Sequence, residues 1–144
     1  MRDKVIFLVI GAIISVVFGF FSVEIYDSIY LDSGFNNAML DIYSLVGIIV
    51  VIVTWAIAAI YYYVINSVKF DRWYHWLAML GVASVLAPAI CYFVVDTQLG
   101  DKDYGTYEVT FEFYNIFVSA ILFIIASFSI RWWSSNCRHT PIPQ

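Results

Sequence analysis

Four long apolar runs alternate with short polar connections along this chain, and the lengths of the runs decide what they can form. Val5 to Ser22 passes 18 residues without a charge; as helix it rises about 27 Å, against a hydrocarbon core of about 30 Å. Ser44 to Ile65 is 22 residues long and equally uncharged, and Trp76 to Val95 and Phe113 to Ile130 make the third and fourth runs. Backbone groups in lipid must be bonded within helices or closed barrels. Barrel strands need an alternating polarity that the stretch from Ile48 to Ile60 lacks. The pattern therefore predicts an all-α membrane protein: four transmembrane helices in a compact bundle, forming one domain over residues 1–144. The predicted spans are 5–22, 44–65, 76–95 and 113–130, with a short polar tail at 134–144. Cleavage of the first run as a signal peptide is not expected, because it is too long for a typical h-region and no small-x-small site precedes Glu24.

Composition agrees. The chain is 62% hydrophobic, 19% aromatic and only 12% charged, with a mean hydropathy of +0.84, which is not the make-up of a soluble domain. A net charge of −4 gives nucleic acid no electrostatic footing. Two cysteines without paired spacing supply neither a disulfide framework nor a multi-cysteine metal site.

Charge distribution sets an expected orientation. Arg2 and Lys4 precede the first run, Lys69 and Arg72 lie between the second and third, and Arg131 and Arg138 follow the fourth, so six of seven cations fall on one side. Cationic loops resist translocation, which predicts cytoplasmic N and C termini and two exported, acidic loops. Tyr61, Tyr62, Tyr63, Trp73, Trp76, Trp132 and Trp133 cluster where the runs meet the cytoplasmic face and are expected to anchor the helices at the lipid interface.

None of the four runs contains Asp, Glu, Lys, Arg or His, so proton-coupled or charge-relay chemistry within the spans is not expected. Gly11, Ser15 and Gly19 place small residues on one helix face and predict close helix contact, within the bundle or with another subunit. Ala83 and Ala87 repeat the spacing in the third run, where Pro88 predicts a kink. Mid-span Trp55 wants a hydroxyl or carbonyl partner on a neighbouring helix, and Asn115 is placed to bond across helices.

The first exported loop, Val23 to Tyr43, is acidic yet rich in Ile, Tyr, Phe and Leu, which predicts a segment lying on the membrane or capping the bundle, with a turn at Asp32 to Asn37. In the second, residues 106–113 alternate apolar and polar side chains, predicting a short strand that pairs with Val94 to Leu99 as a hairpin or offers an edge to a partner. Asp101, Asp103 and Glu108 on that side, and Arg138, Pro141 and Pro143 in the tail, are the candidate partner contacts. The tail reads first as a plain polar extension and second as a docking peptide.

No nucleophile, base and metal constellation is visible: His75 and His139 sit at the cytoplasmic rim without matched partners. The expectation is a non-enzymatic membrane subunit without cofactor or metal, acting in assembly, anchoring or regulation of a complex such as a secretion or envelope machine. A small homo-oligomeric channel, transporter or membrane-disrupting effector is the alternative. Expected partners are the lipid bilayer and other membrane proteins or further copies of the chain. The short loops and missing exported disulfide favour a bacterial inner membrane.

Overall fold

The computed structural model describes residues 2–100 and 104–138. Helix α1 (Arg2–Phe20) is followed by short α2 (Ser22–Ile29), long α3 (Ser33–Ala59), α4 (Trp73–Leu99) and α5 (Gly105–Ile130). π-helical turns extend α3 over Ile60–Ile65, and 3-10 turns occupy Val68–Phe70 and Arg131–Trp133. Among the described residues four helices are long and apolar enough to cross a membrane: Arg2–Phe20, Ser33–Ile65, Trp73–Leu99 and Gly105–Trp133. They form a bundle with α4 and α5 in the most extensive contact, α3 against both, and α1 on the periphery. One end carries α2 and the α4–α5 connection and is called the acidic end; the basic end carries Arg2, Lys4 and the α3–α4 connection.

The helices outrun the predicted spans, most of all at the acidic end. α3 begins eleven residues before the expected start because the Asp32 carboxylate caps it, accepting a hydrogen bond from the Phe35 amide at 2.9 Å. The expected turn at Asp32 to Asn37 is thus a helix N-terminus. Phe35, Met39, Tyr43, Val46, Val50, Thr54, Ala58 and Tyr62 then continue one buried stripe at helical spacing. With its π-helical end this helix has 33 residues, about 50 Å at the helical rise and well beyond a hydrocarbon core of about 30 Å.

No strand occurs among the described residues. Residues 106–113 open α5, and Val94 to Leu99 close α4, so the expected hairpin is replaced by two helix ends. The alternation misleads because Glu108, Phe111, Glu112, Asn115 and Ser119 also fit a helical face, and that face is the buried one. Tyr107, Val109 and Phe113 point outward, where a membrane imposes no penalty on apolar side chains.

α4 runs as continuous helix through Pro88, which is buried. Asn66 ends α3 with φ 23, a left-handed geometry that Asn tolerates better than most residues. Glycine is required at two contacts. A Cβ at Gly11 would lie 1.7 Å from Ser129 Oγ, and one at Gly47 would lie 2.4 Å from Ser22 Cβ.

Candidate functional site

At the acidic end, three helices converge on polar side chains of α5. Glu108 and Glu112 are only 2% and 8% exposed, and Asn115 is fully buried. The Asn115 amide donates to Glu112 Oε2 at 2.8 Å, while Asn115 Oδ1 accepts from the Tyr26 hydroxyl of α2 at 2.7 Å. This realises the cross-helix bond anticipated for Asn115. Glu112 Oε1 and Glu108 Oε2 have no hydrogen-bond partner among the described residues. Cys91 of α4 lies beside Glu112 and Asn115, and Asp96 of α4 faces Glu108.

Aromatic rings hold this arrangement. Tyr26 stacks on Tyr43 at 5.6 Å between centroids and meets Phe111 edge-on at 5.2 Å. The Tyr43 hydroxyl donates to Asn36 Oδ1, and the Asn36 amide donates to the carbonyls of Tyr30 and Asp27. Short α2 is thereby fastened to α3 and α5. Burial, followed by the neighbouring Cys91, Glu112 and Tyr43, holds the Tyr26 phenol well above its ordinary range, so it stays a neutral donor.

Neither carboxyl was assigned to the interior from the sequence. Glu108 was expected as an exposed partner contact, and burial at 2% exposure corrects that. The recognisable signal was the spacing of Glu108, Phe111, Glu112, Asn115 and Ser119, a single helical face that the period-two reading obscured.

Among the described residues, grooves on the outside of the bundle include two between helices. The first, about 190 Å³, lies between α4 (Val85, Pro88, Ala89, Tyr92) and α5 (Val109, Glu112, Phe113, Ile116). Among the described residues, Glu112 is the acidic residue along its wall. The second, about 260 Å³ and apolar, lies between α1 and α3 and includes Ser15, Gly19 and Ile48.

Of the small residues singled out in α1, Gly11 and Ser15 are buried, whereas Gly19 opens onto the second groove with nothing within 4 Å of a Cβ position. Ser15 Oγ donates to the Gly11 carbonyl at 2.9 Å and accepts from the Trp55 indole at 2.9 Å. Ala83 and Ala87 are fully buried.

The aromatic cluster at the basic end divides. Tyr63, Trp73 and Trp133 are exposed. Tyr61 and Tyr62 are fully buried instead, because they continue the inner stripe of α3. The Tyr62 hydroxyl and the Trp76 indole both bond Ser127 Oγ at 2.7 Å, and the Tyr61 hydroxyl donates to the Phe70 carbonyl at 2.7 Å. Trp76 is half-buried, and Trp132 stacks on Phe7 at 5.6 Å. These tyrosines, with Trp76, join helices.

The start of the tail is docked, in place of the plain extension expected. Asn66 Oδ1 accepts from Ser134 Oγ at 2.7 Å and from the Asn136 amide at 3.1 Å, while the Asn66 carbonyl accepts from Asn136 Nδ2 at 2.8 Å. Cys137 is fully buried against the carbonyls of Ser67 and Phe70, and burial pushes its thiol above the ordinary range. Arg138 is exposed. Asp101, Asp103, Pro141 and Pro143 lie outside the described residues. Among the described residues no three His, Cys, Asp or Glu side chains are grouped to hold a metal ion.

In comparisons with protein-family models, curated proteins and solved structures, none matches this chain.

Proposed function

We propose that this chain is a non-enzymatic integral membrane subunit serving the assembly, anchoring or regulation of a larger membrane complex, such as a secretion or envelope machine. The observation that carries the reading is the filled bundle axis. Phe35, Met39, Tyr43, Val46, Val50, Thr54, Ala58, Tyr61 and Tyr62 run the length of α3 and its π-helical end without exposed surface. Packing of this kind closes the axis of a single copy and leaves its flanks and ends to make functional contacts. In this reading the basic end faces the cytoplasm of a bacterial cell, because cationic segments flanking spans are retained there. The acidic end is then exported.

A second reading, a small homo-oligomeric channel or transporter, is favoured by the enclosure of Glu108 and Glu112 within α5, since acids among membrane helices often mark ion or proton paths. Purification of the full chain in mild detergent, followed by reconstitution in liposomes, separates the two. The subunit reading expects a membrane protein to co-purify in fixed stoichiometry and the liposomes to hold a proton gradient. A pure homo-oligomer that dissipates the gradient, with the leak abolished by Glu112→Gln, replaces it with the conduit.

A further inference from the structure

We infer that Glu108 and Glu112 form a proton-binding site, open to the acidic end alone, whose single shared proton keeps α2 seated on the bundle. The site requires no partner, but it supplies the subunit reading with a means of regulation, proton occupancy at one end of the chain.

Enclosure comes first. Glu108 and Glu112 are four residues apart on α5, which sets them side by side on one helix face, about 6 Å between Cβ atoms. Both side chains are more than nine-tenths buried, and Glu108 Oε2 and Glu112 Oε1 have no hydrogen-bond partner among the described residues. Each carboxylate would lose its hydration there, and two would also repel each other. The groups facing them bring no positive charge. They are Tyr26 from α2, with Tyr43 of α3 stacked on it, Cys91 and Asp96 from α4, and the neutral Asn115 amide. Arg2, Lys4, Lys69, Arg72, Arg131 and Arg138 lie at the basic end, and Lys102 lies outside the described residues.

A proton answers this need better than a metal ion. Calcium and magnesium take about six or more oxygen ligands. Here Asn115 Oδ1 is already engaged by the Tyr26 hydroxyl, and among the described residues no three His, Cys, Asp or Glu side chains are grouped to hold a metal. One proton leaves the pair with one charge in place of two and belongs to the pair rather than to either residue. The Asn115 amide occupies Glu112 Oε2, so Glu112 Oε1 and Glu108 Oε2 are the oxygens that carry or accept the proton.

Access is one-sided. Asp96, exposed near the end of α4, faces Glu108, and Glu112 follows one turn deeper. Past Asn115 the buried face of α5 continues through Ser119, Leu122, Phe123 and Ala126, none of which titrates. A proton that enters from the acidic end therefore leaves by it. Once it has left, two enclosed charges need water. Helix α2, eight residues long and bonded to α5 through Tyr26 and Asn115, is the cover that yields most readily.

The test uses the purified full chain in phosphatidylcholine vesicles and infrared spectroscopy. At pH 7 exposed carboxyls are ionised, so the carbonyl stretch of a carboxylic acid, moving to lower frequency in D2O, is expected from the native chain and should be missing when Glu108→Gln and Glu112→Gln are combined. Glu112→Gln alone should shift or remove the band, which keeps the assignment testable if the double variant does not fold. Raising the pH should titrate the band away. Amide hydrogen exchange over Ser22–Ile29, corrected for the intrinsic effect of pH, should then rise at least about fivefold in the native chain and stay level in the double variant. Absence of an acid band from the native chain at pH 7 overturns the inference, and its appearance in Lys102→Gln would then identify Lys102 as the neutralising charge. A band that survives the double variant also overturns it, as does one that vanishes when sodium chloride replaces choline chloride, which assigns the pair to sodium. Exchange in α2 that ignores the titration removes the coupling to that helix. The vesicles should hold a proton gradient, and its collapse through the native chain overturns one-sided access and sets the pair on a path across the bundle. A native membrane protein that co-purifies with a chain lacking the acid band leaves the subunit reading standing and the proton site refuted.

Discussion

Trp55 of α3 donates its indole hydrogen to Ser15 Oγ of α1 at 2.9 Å. Ser15 passes its own hydrogen to the Gly11 carbonyl, so one serine closes its helix and receives the neighbouring one. The contact matters because only Gly11 and Ser15 of α1 are buried, leaving few other interactions to hold that helix in place. Trp55→Phe should cost about 1 kcal/mol, the usual scale of an interhelical bond in a membrane. Ser15→Leu should cost more, since it adds bulk at the contact as well as removing the acceptor. Ile14→Leu, on a lipid-facing position, should leave thermal unfolding in detergent unchanged.

Gly47 and Gly19 make a matched pair for testing close approach. A methyl group at Gly47 meets Ser22 Cβ at 2.4 Å, and one at Gly19 meets nothing within 4 Å. Gly47→Ala should therefore force α2 away from α3 at a cost of about 1–3 kcal/mol. Gly19→Ala should be neutral or slightly stabilising, because alanine favours helix over glycine. Comparison of the two unfolding midpoints decides the matter, and equal midpoints would remove Gly47 from the contact.

Apolar runs and their lengths carry enough information to place four helices, because membrane spans are specified by local hydropathy alone. What escaped depends on partners far away in the chain. Glu112 reads as the edge of a span until Asn115 is seen bonded to Tyr26, 89 positions distant. Tyr61, Tyr62 and Tyr63 are indistinguishable as a run, yet helical rotation sends two inward and one outward. Asp32 was legible as a turn residue, but its role as a cap depended on the apolar stripe that follows it. The docking of residues 134–137 needs Asn66, some 70 positions earlier, which no local pattern announces.

Tyr26 should make stability sensitive to high pH. Burial holds its folded-state pKa well above the ordinary phenol range, whereas in the unfolded chain it titrates near 10. Below pH 10 both states hold the proton and the native contribution is complete. As pH rises from 10 toward the folded value, the unfolded state alone releases its proton and stability falls. Tyr26→Phe should flatten this decline in an unfolding series from pH 8 to 11. At neutral pH the same variant should cost about 1–2 kcal/mol, because Asn115 Oδ1 loses its donor. An unchanged pH slope would remove Tyr26 as its source.

Asn66 should govern access to Cys137. It bonds Ser134, Ser135 and Asn136 through both ends of its amide and its carbonyl. Replacement with Gly retains the left-handed backbone at φ 23 and removes the side-chain bonds. The Cys137 thiol, buried and raised above its ordinary range, should react slowly with maleimide at pH 7.5 in the native chain and at least about tenfold faster in Asn66→Gly, as both exposure and thiolate fraction recover. If the labelling rate stays the same, the side chain of Asn66 does not control this docking.

Topology rests on the charge asymmetry between the two ends, and cysteine accessibility in intact cells can test it. Ser33 and Gln98 are exposed at the acidic end, and Lys69 is exposed at the basic end. In a Cys137→Ser background, Ser33→Cys and Gln98→Cys should react with an impermeant thiol reagent applied from outside, while Lys69→Cys should react only after permeabilisation. These sites avoid Gly100, whose φ of 62 would strain a cysteine. In the proposed orientation the cationic end is the one retained, so moving that charge should move the orientation. Neutralising Arg2, Lys4, Lys69 and Arg72 together should produce a mixed population in which Lys69→Cys is partly labelled without permeabilisation. Labelling of Lys69→Cys in intact cells with every other native charge present would overturn the assignment of the basic end to the cytoplasm.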